Sequence, residues 1–199
     1  MNTIGLLLAA GRGQRFDPTG QRNKLLAPLP GGDLVVVASA RAMLAVLPRV
    51  IAVVPAEGAV AAALRAAGCD VTLCPDAASG MAASLVHGLR LAQPADGWII
   101  ALGDMPYVAP STMAALRAAL AGGAGIAAPL HAGRRGNPVA FGAAYLPQLL
   151  ALQGDQGARS LLASEPVTAV AVDDPGVLHD IDTASDLNKN GTLPVGGHL

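Results

Sequence analysis

Between Gly11 and Lys24 the chain places Arg12, Arg15, Arg22 and Lys24 against a single acid, Asp17, a local balance of four minus one, or +3, in a protein of 199 residues and net charge -1. The cations follow the apolar run TIGLLLA and two glycines, Gly11 and Gly13. A strand that breaks into a glycine loop exposes backbone N–H groups where an anion can sit, and cations beside it suit a small polyanion such as a phosphate ester. The other reading is a solvated loop with incidental charge. Lys24 favours the first, because the chain uses eleven arginines and only two lysines, the second being Lys189 near the end. A lysine kept in an arginine-biased chain points to a need for a compact charge on a flexible stem.

Two familiar phosphate loops fail here. Gly11-Arg12-Gly13-Gln14-Arg15-Phe16 begins like G-x-G-x-x-G, but Phe16 stands where close helix packing needs a third glycine. No G-K-[ST] tripeptide of a mononucleotide loop occurs anywhere in the chain. Two acidic positions add to the picture. Asp104 follows the apolar run WIIAL, so it falls at a strand's carboxyl end, where open α/β sheets bind ligands and where a carboxylate suits Mg²⁺. Asp180 and Asp182 flank Ile181, so in an extended segment both point one way. Turn and cap roles are the alternatives for Asp104, and an acidic helix start is the alternative for the pair.

The elements that position these residues are legible as short apolar runs: TIGLLLA, then residues 50–54, 71–74, 98–102, 125–129, 138–141 and 167–172. Continuous apolar strands between Ala-rich helical stretches predict an α/β fold with a mostly parallel sheet covered on both faces. Met81, Leu85 and Leu89, and Met113, Leu116 and Leu120, each line one helix face. Ser79-Gly80 and Pro110-Ser111 mark helix starts, with the hydroxyls as caps. After residue 130 glycine, proline and arginine cluster, which predicts a small hairpin-like insertion. Residues 1–187 read as one domain and 188–199 as a tail.

Composition narrows the function classes. No apolar stretch reaches the roughly 20 residues of a membrane span, and no basic segment precedes the first apolar run, so a cytoplasmic protein is expected. Cys69 and Cys74 are too few for a structural zinc site or a disulfide framework. Charge near balance excludes a nucleic-acid surface. His131, His179 and His198 have no partner pattern, and His87 is expected on a helix surface.

Six motifs carry a resemblance: LLLAAGRGQRF with NKLLAPL, SGMAASLVHGL, LGDMP, RGNPVAF, QGDQGARSLL and HDIDTASDL, covering residues 4–187 in order. Together they resemble the molybdenum cofactor cytidylyltransferases of the MobA/MocA-like NTP transferase group. The resemblance implies a Rossmann-like three-layer α/β/α nucleotidyltransferase fold, with a nucleotide half over about 1–108 and a pterin half over about 109–187. It implies transfer of CMP from CTP to the terminal phosphate of molybdopterin, with Mg²⁺, or Mn²⁺, as cofactor. Arg15, Lys24 and Asp104 are then the catalytic residues, and Asp104 and Asp182 the metal ligands, with Asp180 in support. Ala9, Ala10, Gly11, Arg12, Gly13, Pro75, Gly80 and Ser84 border the nucleotide, whereas Arg22 is a solvated loop charge. Arg135, Gly136, Asn137 and Pro138, together with Asp155, Gly157 and Arg159, form the pterin side.

Departures from the family pattern are Asn137 in place of the usual histidine, Ala184 in place of a proline, and DLVVVASARAML without a G-x-P lead-in. The implied client is a molybdenum hydroxylase of the xanthine or carbon monoxide dehydrogenase type. Cytidylyltransferases of this group tend to carry L-A-A-G and guanylyltransferases L-A-G-G. The Ala10 methyl thus favours the smaller base, by only about 1–3 kcal/mol. Rival readings are a guanylyltransferase on the same acceptor, a cytidylyltransferase on a sugar or polyol phosphate, and a non-catalytic carrier of the cofactor.

Overall fold

A computed structural model describes all residues except 12, 14, 18, 20, 156 and 189–199. Arg12 and the tail expected beyond residue 188 lie outside the described residues. Eight strands form one sheet: β1 (Thr3–Leu8), β2 (Val50–Val54), β3 (Asp70–Leu73), β4 (Gly97–Leu102), β5 (Ile126–His131), β6 (Arg134–Arg135), β7 (Val139–Gly142) and β8 (Thr168–Ala171). Their spatial order is β3-β2-β1-β4-β7-β5-β6, with β8 beside β5. Strands β1 to β4 pair in parallel, whereas β7 runs antiparallel between β4 and β5.

The central strands β1, β2 and β4 are buried on both faces, as expected of a covered parallel sheet, whereas β3 and β8 remain partly exposed. Leu7 in β1 and Ile99 in β4 face a core shared with α1 (Val35–Leu44), α2 (Ala59–Ala67) and α4 (Pro110–Ala121). Ile4 and Leu6, with Trp98 and Ile100, face the opposite core, under α3 (Met81–Leu91) and α5 (Leu146–Leu150). Alternate residues of one strand therefore serve different layers. The α4 face inferred from spacing holds, with Met113, Leu116 and Leu120 buried, but the α3 face holds only in part: Leu85 and Leu89 are buried, whereas Met81 at the helix start is exposed and lines the cavity described below.

The helix caps differ from expectation. Neither Ser79 nor Ser111 caps a helix: Gly80 and Ala109 occupy the cap positions without side-chain bonds. Ser79 Oγ donates instead to the Asp76 carbonyl, and the start of α4 is held from afar by Asp174, whose carboxylate accepts from Ala109 N–H and the Thr112 hydroxyl. A local hydroxyl loses to a distant carboxylate because a charged acceptor makes the stronger bond. The inserted hairpin is present, as β5 and β6 joined through Ala132 (φ 48°) and Gly133 (φ 76°). Its partner α6 (Arg159–Ser164) follows the loop that contains Asp155 and Gly157.

Candidate active site

Chain direction assembles the site. After β1 the chain goes to β2 on one side of it, and β4 later pairs on the other, so the strand order reverses at β1, the place where open sheets open a ligand crevice. Leu8 pairs with Leu102, and Gly103 N–H donates to the Leu8 carbonyl, so the loop after β1 and the LGDMP turn leave the sheet side by side. Asn23 caps a short turn by accepting from Leu25 N–H, and that turn buries both Leu25 and Lys24.

Lys24 retains 7% exposure and its ammonium lies between two carboxylates, 2.7 Å from Asp104 Oδ2 and 3.3 Å from Asp182 Oδ1. The backbone builds this corner as well, because Ile181 N–H donates to the Asp104 carbonyl at 2.8 Å. With Ile181 buried beneath, Asp182 faces the lysine as the alternation within DID predicts. Arg15, largely exposed, reaches the other oxygen of Asp182 at 2.7 Å. Burial, reinforced by the charges of Asp182 and Asp104, pushes the Asp180 carboxyl above the usual carboxylate range.

Asp104 Oδ1 is buried and has no hydrogen-bond partner among the described residues. Such an oxygen beside a second carboxylate fits a hard divalent cation. No group of three or more His, Cys, Asp or Glu side chains stands ready to hold a metal among the described residues, so the fit is to an ion that takes most of its oxygens from phosphate and water.

A cavity of about 460 Å³ opens from this corner. Leu8, Ala9, Ala10 and Gly11 form one wall, Ala77, Ala78, Gly80, Met81 and Ser84 another, and Lys24, Leu102, Asp104 and Asp155 complete it. Gly11 has nothing within 4 Å of where a side chain would project, while Gly13 packs against the Lys24 stem. Asp17 organises the loop between them, accepting from Thr19 N–H, the Thr19 hydroxyl and Arg22 N–H. The Thr19 hydroxyl bond, with the backbone bonds behind it, holds its carboxyl below the usual range. Arg22, read as a solvated charge, has its guanidinium 6.0 Å over the Phe16 ring.

Pro75 begins the turn that supplies Ala77 and Ala78 but itself lines a separate groove with Cys74, His87 and Arg90. Ser84 is buried and bonded to the Cys74 thiol, whose burial pushes that thiol above its ordinary value. His87 bonds to the Thr72 hydroxyl.

The residues expected on the pterin side divide. Arg135 in β6 donates to the Leu162 carbonyl of α6, and Asn137 N–H to the Val177 carbonyl, which also abuts Gly136 so closely that a Cβ there would lie 2.3 Å from it. Pro138 leads into β7, and Arg159 opens α6 with its side chain exposed. Asp155 and Gly157 instead lie against the start of α3, and Asp155 lines the same cavity as Ala10 and Lys24. Sequence reasoning missed Ala77, Ala78 and Met81, for which small apolar residues in a turn give no signal. It also missed the role of Asp17, although D-P-T-G is a turn pattern in which such a side chain bonds its own backbone.

Residues 5–170 match the MobA-like NTP transferase domain family. Purine catabolism protein PucB of Bacillus subtilis (strain 168) is 33% identical over 92% of this chain and 93% of its own. Nicotine blue oxidoreductase of Paenarthrobacter nicotinovorans is 29% identical over 93% and 94%. Among solved structures, Rv0371c from Mycobacterium tuberculosis H37Rv superposes with a TM-score of 0.79 at 32% identity, covering 94% of this chain and 95% of that one. Its complex with manganese gives 0.69 at 30% identity over 94% and 96%. No helix among the described residues is long and apolar enough to cross a membrane. The phosphate-suited loop, the carboxylates at the strand ends and a family match over most of the chain agree: this protein belongs to the MobA-like NTP transferase family and is a nucleotidyltransferase.

Proposed function

We propose that the protein transfers CMP from CTP to the terminal phosphate of molybdopterin, giving molybdopterin cytosine dinucleotide and pyrophosphate. The observation that carries the reading is the buried Lys24 ammonium between Asp104 and Asp182 at one end of a nucleotide-sized cavity. In this reaction an acceptor phosphate oxygen bonds to the α-phosphorus of CTP while the bond to the bridging α–β oxygen breaks, and that oxygen leaves with pyrophosphate. The acceptor is already ionised, so no strong general base is needed. The protein's task is to hold two anions together and offset their charge.

Lys24 and Arg15 turn from the carboxylates toward the triphosphate, while Ala9, Ala10, Gly11 and Gly13 bring backbone close to it and Arg12 contributes its charge. Asp104 and Asp182 hold Mg²⁺ or Mn²⁺, with Asp180 in support. The ion supplies charge neutralisation on the triphosphate. Gly80 and Ser84 border base and ribose, and Pro75 shapes the turn behind them. Arg135, Gly136, Asn137, Pro138, Gly157 and Arg159 serve the acceptor, which divides the single domain into a nucleotide half over about 1–108 and a pterin half over about 109–187. A relative named for purine catabolism favours a hydroxylase that oxidises a purine as client, in the cytoplasm. The redox activity in the other relative's name finds no support in the first loop, where Phe16 displaces the glycine that a dinucleotide fold needs.

Pyrophosphate release with Mg²⁺, molybdopterin and either CTP or GTP tests the reading. CTP is expected to support turnover; no release with either nucleotide overturns it, and a preference for GTP moves the protein to guanylyl transfer. A sugar or polyol phosphate accepted more readily than molybdopterin changes the acceptor. Asp104→Asn is expected to lower turnover by about 10²–10³-fold with nucleotide affinity only partly reduced. Cofactor delivery undiminished in that variant identifies a carrier instead.

A further inference from the structure

We propose that Asp155 reads the amino edge of the nucleobase, its carboxylate accepting a hydrogen bond from the exocyclic amino group of cytosine and so selecting CTP over UTP. This rests on the nucleotidyl-transfer reading above. The cavity lining carries two unlike groups. In one, Lys24 meets Asp104, a place for a triphosphate and its cation. Lys24 is the only cation among the described lining residues, and no ion pair joins it to Asp155. A phosphate beside Asp155 would face a carboxylate that forms no ion pair with a cation among the described lining residues, so the uncharged part of the nucleotide, its base, fits better there.

The backbone on either side of the exposed Asp155 packs against the start of α3. Gly80, at φ 130°, admits no side chain, because a Cβ on it would lie 2.5 Å from the Gly154 carbonyl oxygen and 2.7 Å from Asp155 Oδ1. Ala82 N–H donates to that same Gly154 carbonyl at 3.1 Å, so the loop caps α3. Gly157, at φ 52°, packs so near Met81 that a Cβ would lie 2.9 Å from the sulfur. The Asp155 carboxylate itself forms no hydrogen bond with any described residue, and its acceptor positions remain available to a ligand. A carboxylate at the start of α3 also lies in the favourable field of the helix's free N–H groups.

An acceptor at this position distinguishes the pyrimidines by chemistry. Cytosine presents N4–H₂ to it, whereas uracil presents O4, a second acceptor that repels it. Guanine presents donors at N1 and N2, so Asp155 admits both CTP and GTP and leaves base size to the wall at Ala10. The amino edge of a pterin offers the same donor chemistry, and the test separates the two sources.

Equilibrium binding of CTP, UTP and the pyrimidin-2-one ribonucleoside triphosphate, which lacks the 4-amino group, is measured with Mg²⁺ and no acceptor, for the wild type, Asp155→Asn and Asp155→Ala. The wild type is expected to bind CTP about tenfold or more tighter than UTP, and Asp155→Asn to close most of that gap. Asp155→Ala is expected to weaken CTP by about tenfold while leaving the pyrimidin-2-one unchanged. The same CTP to UTP ratio in all three proteins overturns the proposal. If the variants instead raise only the acceptor KM, Asp155 serves the pterin and the assignment to the base is overturned. A wild type that binds no nucleoside triphosphate overturns the nucleotidyl-transfer reading, and this inference with it.

Discussion

The two halves of the sheet organise chemistry in different ways. In the half made of β3-β2-β1-β4 all strands run parallel, so their carboxyl ends share one edge and the loops that follow meet there. Lys24, after β1, thereby reaches Asp104, after β4, across 80 positions of sequence, while Asp182, which follows β8 of the other half, joins them from 158 positions away. In the half made of β7, β5, β6 and β8 the directions are mixed, and the residues expected to bind the acceptor do not converge. Arg135 is tied to a carbonyl of α6, Asn137 to the Val177 carbonyl, and Asp155 lines the nucleotide cavity. Parallel topology brings the loops that carry Lys24 and Asp104 to one edge whatever those loops contain. The mixed half places each candidate separately.

The sharpest way to break this contrast is Lys24→Met, which removes the ammonium between two carboxylates but keeps most of the apolar stem. Turnover measured by pyrophosphate release is expected to fall by about 10²–10³-fold. The metal-free protein should also melt at a lower temperature, because Asp104 and Asp182 are left facing each other. Removing one partner of a buried pair costs about 3–5 kcal/mol, and less where, as here, both carboxylates keep about a fifth of their surface exposed. Added Mn²⁺ should recover much of the loss in thermal denaturation, since a divalent ion replaces the missing charge. Turnover within tenfold of wild type would reduce Lys24 to a structural ion pair.

The contrast also explains what the sequence made legible. Strands β1, β2 and β4 and helices α3 and α4 were readable because burial on both faces forces continuous apolar runs, and burial on one face forces the spacing of Leu85 and Leu89 or of Leu116 and Leu120. Asp104 was readable because it follows such an apolar run, and the pair Asp180 and Asp182 because they flank Ile181, although only the resemblance singled out Asp182 within the pair. The cap supplied by Asp174 was hidden, since 65 positions separate it from Ala109 and only the folded chain brings them together. The placement of Asp155 was hidden for the same reason. The motif around it identified a glycine turn, but which cavity a turn faces depends on how α6 and α3 pack. Ala77 and Ala78 line the cavity through position alone, a property without any mark in residue type.

Gly80→Ala probes the seam between the halves, where residues 154–157 lie on the start of α3. A methyl group would meet the Gly154 carbonyl at 2.5 Å and force a φ of 130° that side chains rarely adopt. The strain is expected to cost about 1–3 kcal/mol, read as a lower denaturation midpoint. Both the nucleotide and the acceptor should then bind several-fold more weakly, because the displaced loop carries Asp155 on one side and leads to Arg159 on the other. An effect on nucleotide affinity alone would show that the loop belongs wholly to the parallel half.

Arg135→Ala is the mildest and most selective of these changes. The side chain is exposed and makes one hydrogen bond, at 3.1 Å to the Leu162 carbonyl, so stability should change by about 1 kcal/mol or less. If Arg135 serves the acceptor's phosphate, loss of one charged hydrogen bond raises the acceptor KM by about tenfold. CTP affinity measured without acceptor should stay as in the wild type, because Arg135 does not line the cavity shared by Lys24 and Ala10. Equal losses in both measurements would mean that the mixed half transmits strain into the parallel edge through α6 and the 154–157 loop, and that the two halves act as a single binding unit.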